Sequence, residues 1–92
     1  MPVGRRCVVS GRVHGVFYRA SARQRAMSAG ISGYARNLPD GTVEVLACGE
    51  EPAVLEFIQW LWIGPSAAKV SAVEVETVEF ESGAWPRGFT TS

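Results

Sequence analysis

The sequence of 92 residues is short of cysteine, of histidine and of long apolar runs. Its two cysteines, Cys7 and Cys48, do not form a Cys-x-x-Cys pair. That excludes a disulfide-rich secreted scaffold and points to two reduced, partly buried thiols in a reducing compartment. A lone histidine, His14, argues against a histidine-based metal cluster and against a Ser-His-Asp triad. The longest apolar run, residues 57–63, is far short of the ~20 residues a membrane span needs. Near the N-terminus Arg5 and Arg6 have no apolar stretch beside them long enough for a signal peptide. Neither a Gly-x-x-x-x-Gly-Lys-Ser/Thr phosphate loop nor a Gly-x-Gly-x-x-Gly fingerprint is present. The expectation is therefore a cytoplasmic protein with no cofactor, no metal and no membrane partner.

Acids are missing from the first 39 residues: all nine lie between Asp40 and Glu81. Seven of the nine basic residues lie in residues 1–36, and the formal net charge is zero. A zero total speaks against a general nucleic-acid binder, which carries a basic excess. The asymmetry still allows one local positive pocket, enough for a small anion.

What is present reads as one α+β domain over residues 1–92. Residues 6–13 alternate as a strand, with Cys7, Val9 and Val13 sharing one parity. Residues 18–29 carry Tyr18, Ala22, Ala26 and Ala29 at helical spacing, and Gly30 is a fitting stop. Residues 31–37 read as a second strand. Pro39 and Gly41 make a turn, and residues 42–49 return as a third strand. A second helix opens near Pro52 with an apolar stripe of Val54, Leu55, Phe57, Ile58, Leu61 and Trp62, leaving Trp60 at its margin. Residues 69–81 alternate apolar and acidic residues, with a parity shift between Val75 and Val78 that predicts a bulge or bend. Residues 89–92 suit a short edge strand. The order β-α-β-β-α-β is the split βαβ, ferredoxin-like arrangement: an antiparallel sheet with two helices on one face and room for a short fifth strand. This fold hosts many functions and settles none.

Residues 11–19, Gly-Arg-Val-His-Gly-Val-Phe-Tyr-Arg, join the first strand to the first helix. Such a loop aims several backbone N–H groups at one spot, and the helix N-terminus adds unpaired donors and partial positive charge. Gly15 permits the concave turn, and Arg19 supplies a fork that fits two phosphate oxygens. An ordinary strand-to-helix turn with a solvated Arg19 has the same pattern, so the residues alone leave both readings open.

The same stretch resembles the first signature of the acylphosphatase family, Gly-x-Val-Gln-Gly-Val-x-Phe/Tyr-Arg. Residues 33–49 resemble the second, through Gly33, Tyr34, Ala35, Asn37, Gly41, Val43 and Gly49, and residues 64–76 resemble a third family stretch. The family is small, ferredoxin-like and metal-independent. The resemblance implies a monomeric hydrolase that cleaves the carboxyl–phosphate bond of small acyl phosphates to a carboxylate and inorganic phosphate. It maps the phosphate-binding arginine onto Arg19 and the water-orienting asparagine onto Asn37. The phosphate cradle falls on the backbone of Val13, His14, Gly15, Val16, Phe17 and Tyr18. His14 departs from the family's glutamine. Thr42 is placed to support Asn37 or the water. Arg23, one helical turn after Arg19, adds potential to the site or is simply solvated.

The alternative is a non-catalytic ligand- or RNA-binding module on the same fold. RNA binding asks for an aromatic-rich strand on the open sheet face, which residues 42–49 lack, and the acids of residues 73–81 repel phosphates. A domain of a larger enzyme is the third possibility, and the length favours a stand-alone chain.

Overall fold

The computed structural model describes residues 2–80 and 84–92. Its elements run β1 (Pro2–Arg12), α1 (Tyr18–Ala29), β2 (Ser32–Asn37), β3 (Val43–Glu50), α2 (Glu51–Leu61), β4 (Lys69–Val78) and β5 (Phe89–Thr91). The five strands form one sheet in the order β4-β1-β3-β2-β5. The first four strands pair antiparallel, as expected. The short fifth strand pairs with β2 in parallel, Gly33 facing Phe89 and Ala35 facing Thr91, so the sheet is mixed. The expected antiparallel sheet is thus formed by the first four strands, and β5, whose direction the sequence pattern leaves open, lies parallel to β2 at the edge opposite β4.

The register explains which residues are buried. Cys7 faces Val45 and Val9 faces Val43, so the odd positions of β1 and β3 share the helix side. There Cys7, Val9, Val43, Val45, Ala47 and Ala35 meet Tyr18, Ala22 and Ala26 of α1 and Val54, Phe57 and Leu61 of α2. Two alanines on the inner stripe of α1 let that helix approach the sheet closely. It ends at Gly30, whose left-handed backbone (φ 71°) lets the Ile31 N–H reach the Ala26 carbonyl at 2.8 Å. Both cysteines are buried and free, and burial pushes the Cys7 thiol up to about 12 and Cys48 to about 11.

Three local expectations fail for physical reasons. The β1–β4 register runs unbroken from Gly4–Val78 to Ser10–Ala72 and shifts between Ser10 and Gly11, so the bulge is not between Val75 and Val78. At the shift a Cβ on Gly11 (φ 121°) would lie 2.1 Å from the Lys69 carbonyl oxygen, so the close approach demands glycine. β4 is an edge strand with a half-exposed Val75, so its parity reports burial poorly. In α2, Leu55 and Trp62 are exposed, while Trp60 stacks between Tyr18 (centroids 5.8 Å) and Phe57 (6.2 Å). α1 and β4 also fall short of the predicted pattern at their ends. Ala29 is exposed, β4 closes at Val78, and Glu81 lies outside the described residues.

On the open face, Glu44 is buried and receives Arg6 Nε and Arg36 Nε on its two carboxylate oxygens. Arg6 continues to Glu76 at 2.9 Å, and the Arg36 guanidinium lies 5.3 Å above the Tyr34 ring. Arg6 and Arg36 thus meet later acids across strands while staying partly exposed to solvent. No helix among the described residues is long and apolar enough to cross a membrane.

Candidate active site

The loop between β1 and α1 is held down by every second or third side chain. Val13, Val16 and Tyr18 are buried, while His14, Gly15 and Phe17 face outward. The chain turns through two left-handed residues, Gly15 (φ 70°) and Phe17 (φ 61°, ψ 24°). Nothing lies within 4 Å of a Cβ placed on Gly15, so glycine is needed there for its backbone conformation and not for space. Phe17 caps α1, and the first helical bond runs from the Ser21 N–H to the Phe17 carbonyl at 3.0 Å. The N–H groups of Tyr18, Arg19 and Ala20 precede that bond and have no partner inside the helix. They open, with the positive end of the helix, onto a concavity of about 330 Å³ lined by Val13, Gly15, Phe17, Tyr18, Arg19, Ala20 and Thr91. No acid occupies the first turn of α1 to cancel that field.

Arg19 leaves the first turn of α1 half-buried and donates through Nη1 to the main-chain oxygen of Ser92. Asn37 ends β2 opposite Val43, on the same sheet face as Ala35. Its own N–H donates to the same Ser92 oxygen at 3.3 Å, and the Ser92 N–H returns to the Ala35 carbonyl at 3.1 Å. Arg19 and Asn37, 18 residues apart in sequence, therefore converge on one acceptor at the end of β5. The Asn37 side-chain oxygen is buried with no hydrogen-bond partner among the described residues. A buried acceptor left unpaired is costly, and such atoms occur where a ligand or water is to be held.

His14 directs its ring away from the loop. Nε2 lies 2.8 Å from the Thr42 carbonyl oxygen, and because a carbonyl only accepts, Nε2 carries the hydrogen. Thr42 in turn donates its N–H (3.0 Å) and its hydroxyl (2.6 Å) to Asp40, so its hydroxyl serves the hairpin turn and not Asn37. These two bonds, the hydroxyl first, hold the Asp40 carboxyl below its ordinary range. Arg23 is also engaged: its Nε donates to the Phe89 carbonyl at 3.1 Å and ties α1 to β5.

Of the residues singled out from sequence, Val13, Gly15, Phe17, Tyr18 and Arg19 line one concavity, Val16 anchors the loop from below, and His14 clasps it to the hairpin. Thr91 and Ser92 were not foreseen as part of the site. Their only sequence signal was the short β-like tail at residues 89–92, whose neighbour in the sheet the pattern does not reveal. Among the described residues no three His, Cys, Asp or Glu side chains are grouped to hold a metal ion. A second groove, about 290 Å³ between α1 and α2, is lined by Arg25, Ala53, Glu56 and Trp60 among others. It runs from the last turn of α1, at Ser28 and Ala29, along α2 from Ala53 to Trp60, and Glu56 places a carboxylate in it.

A family model for acylphosphatase matches residues 5–91. An acylphosphatase of Chromohalobacter salexigens is 58% identical over 71 residues, covering 77% of this chain and 79% of that protein. One from Alkalilimnicola ehrlichii is 51% identical over 89 residues, 97% of each chain. The solved structure of an acylphosphatase from Coxiella burnetii matches with a TM-score of 0.89 at 36% identity, over 99% of this chain and 93% of that one. The likeness thus extends from sequence to backbone and spans the loop, the hairpin and the closing strand together: the chain belongs to the acylphosphatase family.

Proposed function

We propose that this chain hydrolyses small acyl phosphates, with the β1–α1 loop and Arg19 as the phosphate cradle and Asn37 as the holder of the attacking water. The observation that carries the reading is the meeting of the Arg19 guanidinium and the Asn37 main-chain N–H on the Ser92 oxygen, with Arg19 also lining the concavity at the start of α1.

The substrate, R–CO–O–PO₃²⁻, already has a carboxylate leaving group, so strong acid catalysis is not required. Three tasks remain: holding the phosphoryl group, stabilising charge on its equatorial oxygens and aiming water in line. Loop residues 13–18 and the first amides of α1 perform the first. Arg19 contributes to the first two. Its Nη1 is fixed on Ser92, so the rest of the guanidinium fork is oriented before substrate arrives. A preorganised donor of this kind is worth about 3 kcal/mol in the transition state. Asn37 offers its unpaired side-chain oxygen to one water hydrogen, which positions the water oxygen without removing its proton. The water oxygen bonds to phosphorus as the bond from phosphorus to the acyl oxygen breaks, and the water proton passes to a phosphoryl oxygen. The products are R–COO⁻ and H₂PO₄⁻, which balances atoms and charge. No step calls on a metal, and the same reading makes the chain a cytoplasmic, single-domain monomer without nucleic-acid or membrane partners. A net charge of zero and the acids Glu74 and Glu76 on the open sheet face support the exclusion of nucleic acid.

The test is hydrolysis of acetyl and benzoyl phosphate by the purified chain in the presence of a metal chelator. Arg19→Ala and Asn37→Ala are expected to lower kcat/KM by about 10²–10³ and about 10² respectively, with unchanged circular dichroism. Retention of full activity by either variant would remove that residue from the mechanism.

A further inference from the structure

Phe17 combines two features that folding alone disfavours. It is a bulky aromatic in the left-handed region at φ 61°, the sole non-glycine residue there among those described. It is also 82% exposed, the most exposed large apolar side chain of the described residues. Left-handed backbone costs an aromatic residue strain, and exposure returns no burial energy in exchange. Glycine would satisfy the same turn, as it does at Gly15 two residues earlier. Such strain persists where the side chain serves something outside the fold.

Its position shows what that is. Phe17 lines the same concavity as Arg19, Gly15 and the start of α1. The amides and Arg19 supply the anion-binding part, and Phe17 supplies the exposed apolar wall beside it. We infer that Phe17 is a specificity residue whose ring packs on the acyl group, favouring acyl phosphates with an aromatic or extended apolar acyl chain over acetyl phosphate. The inference rests on the phosphate-cradle reading above. A two-carbon acyl group offers little surface to the ring, whereas a benzoyl group presents a flat face for offset or edge-on packing.

The experiment compares kcat/KM for benzoyl and acetyl phosphate in the wild-type protein, Phe17→Gly and Phe17→Leu. Glycine suits the turn, so that variant keeps the loop conformation. The benzoyl-to-acetyl ratio is expected to fall about tenfold in Phe17→Gly, chiefly through a higher KM for benzoyl phosphate, with Phe17→Leu intermediate. A ratio unchanged within about twofold, or a proportional loss on both substrates, would overturn the inference while leaving the cradle reading in place. Wild-type protein inactive on both substrates would overturn the two readings together.

Discussion

The Tyr18 hydroxyl donates a 2.6 Å hydrogen bond to the Leu61 carbonyl, joining the first residue of α1 to the last of α2 across 43 positions of sequence. Tyr18 is almost fully buried, its ring stacks on Trp60, and a Cβ on Gly64 would come within 2.8 Å of it. Desolvation pushes the phenol well above its ordinary pKa, so it remains a donor throughout the working range. The residue that starts α1 is therefore locked from the far side of the core. Tyr18→Phe keeps the ring and leaves a C-terminal helix carbonyl unpaired. The expected loss is about 1–3 kcal/mol of stability, read as a lower urea midpoint at unchanged slope.

How much of this was legible in the sequence depends on which force set each feature. The strand of Cys7 and Val9, the Ala22 and Ala26 face of α1 and the Pro39–Gly41 turn follow from periodicity and backbone chemistry that act locally, and each appears where the pattern puts it. The apolar stripe of α2 is wider in the sequence than the face the helix buries. Six apolar positions span more of a helix surface than one sheet covers, so Leu55 and Trp62 fall outside while Trp60 finds Tyr18. β5 shows the other limit. Three residues carry no periodicity, and their parallel partner is chosen by the whole sheet. For that reason Arg19 and Asn37 stand out in the sequence only as candidates, through the resemblance carried by the Gly-x-Val-x-Gly loop and the turn that follows Asn37. The Ser92 oxygen that gathers them does not stand out.

Asn37 separates stability from activity. Its buried side-chain oxygen is unpaired, so the folded protein gains little from that carboxamide. Asn37→Ala deletes an unsatisfied acceptor and keeps the main-chain N–H that reaches Ser92. The variant is expected to melt no lower than wild type while losing about 10²-fold in kcat/KM. A calorimetric scan beside the kinetic assay reads both. A fall in the melting temperature would assign Asn37 a structural bond that the fold does not display.

His14 clasps the β1–α1 loop to the hairpin that carries Asn37, through one 2.8 Å bond to the Thr42 carbonyl. The side chain is exposed, so its loss spares the core. His14→Ala removes the clasp and frees the loop, at a cost of about 1 kcal/mol in ordering it on substrate, or roughly a fivefold rise in KM. His14→Gln restores an N–H donor of similar reach and is expected to recover most of that rise. If the Gln variant behaves like the Ala variant, the imidazole acts on substrate by another route.

Glu44 sets the acid limit of the fold. Burial alone raises its pKa, but hydrogen bonds from Arg6 and Arg36, with their charges, outweigh burial and hold the carboxyl below its ordinary value of 4.5. The sign of the linkage follows. With the folded pKa depressed, the unfolded chain binds the proton more tightly, so the ion pairs stabilise fully above about pH 4.5 and are lost as pH falls through the folded value. Glu44→Gln keeps the shape and removes the charge. Both arginines remain partly solvated, at 36% and 51% side-chain exposure, so the cost at pH 7 is expected near 1–2 kcal/mol, below the 3–5 kcal/mol of a fully buried pair. Urea titrations of wild type and variant at successive pH values read the difference directly. It is expected to be constant near neutrality and to shrink below about pH 4.5. A difference that persists undiminished into acid would mean that Glu44 stabilises by packing and not by charge.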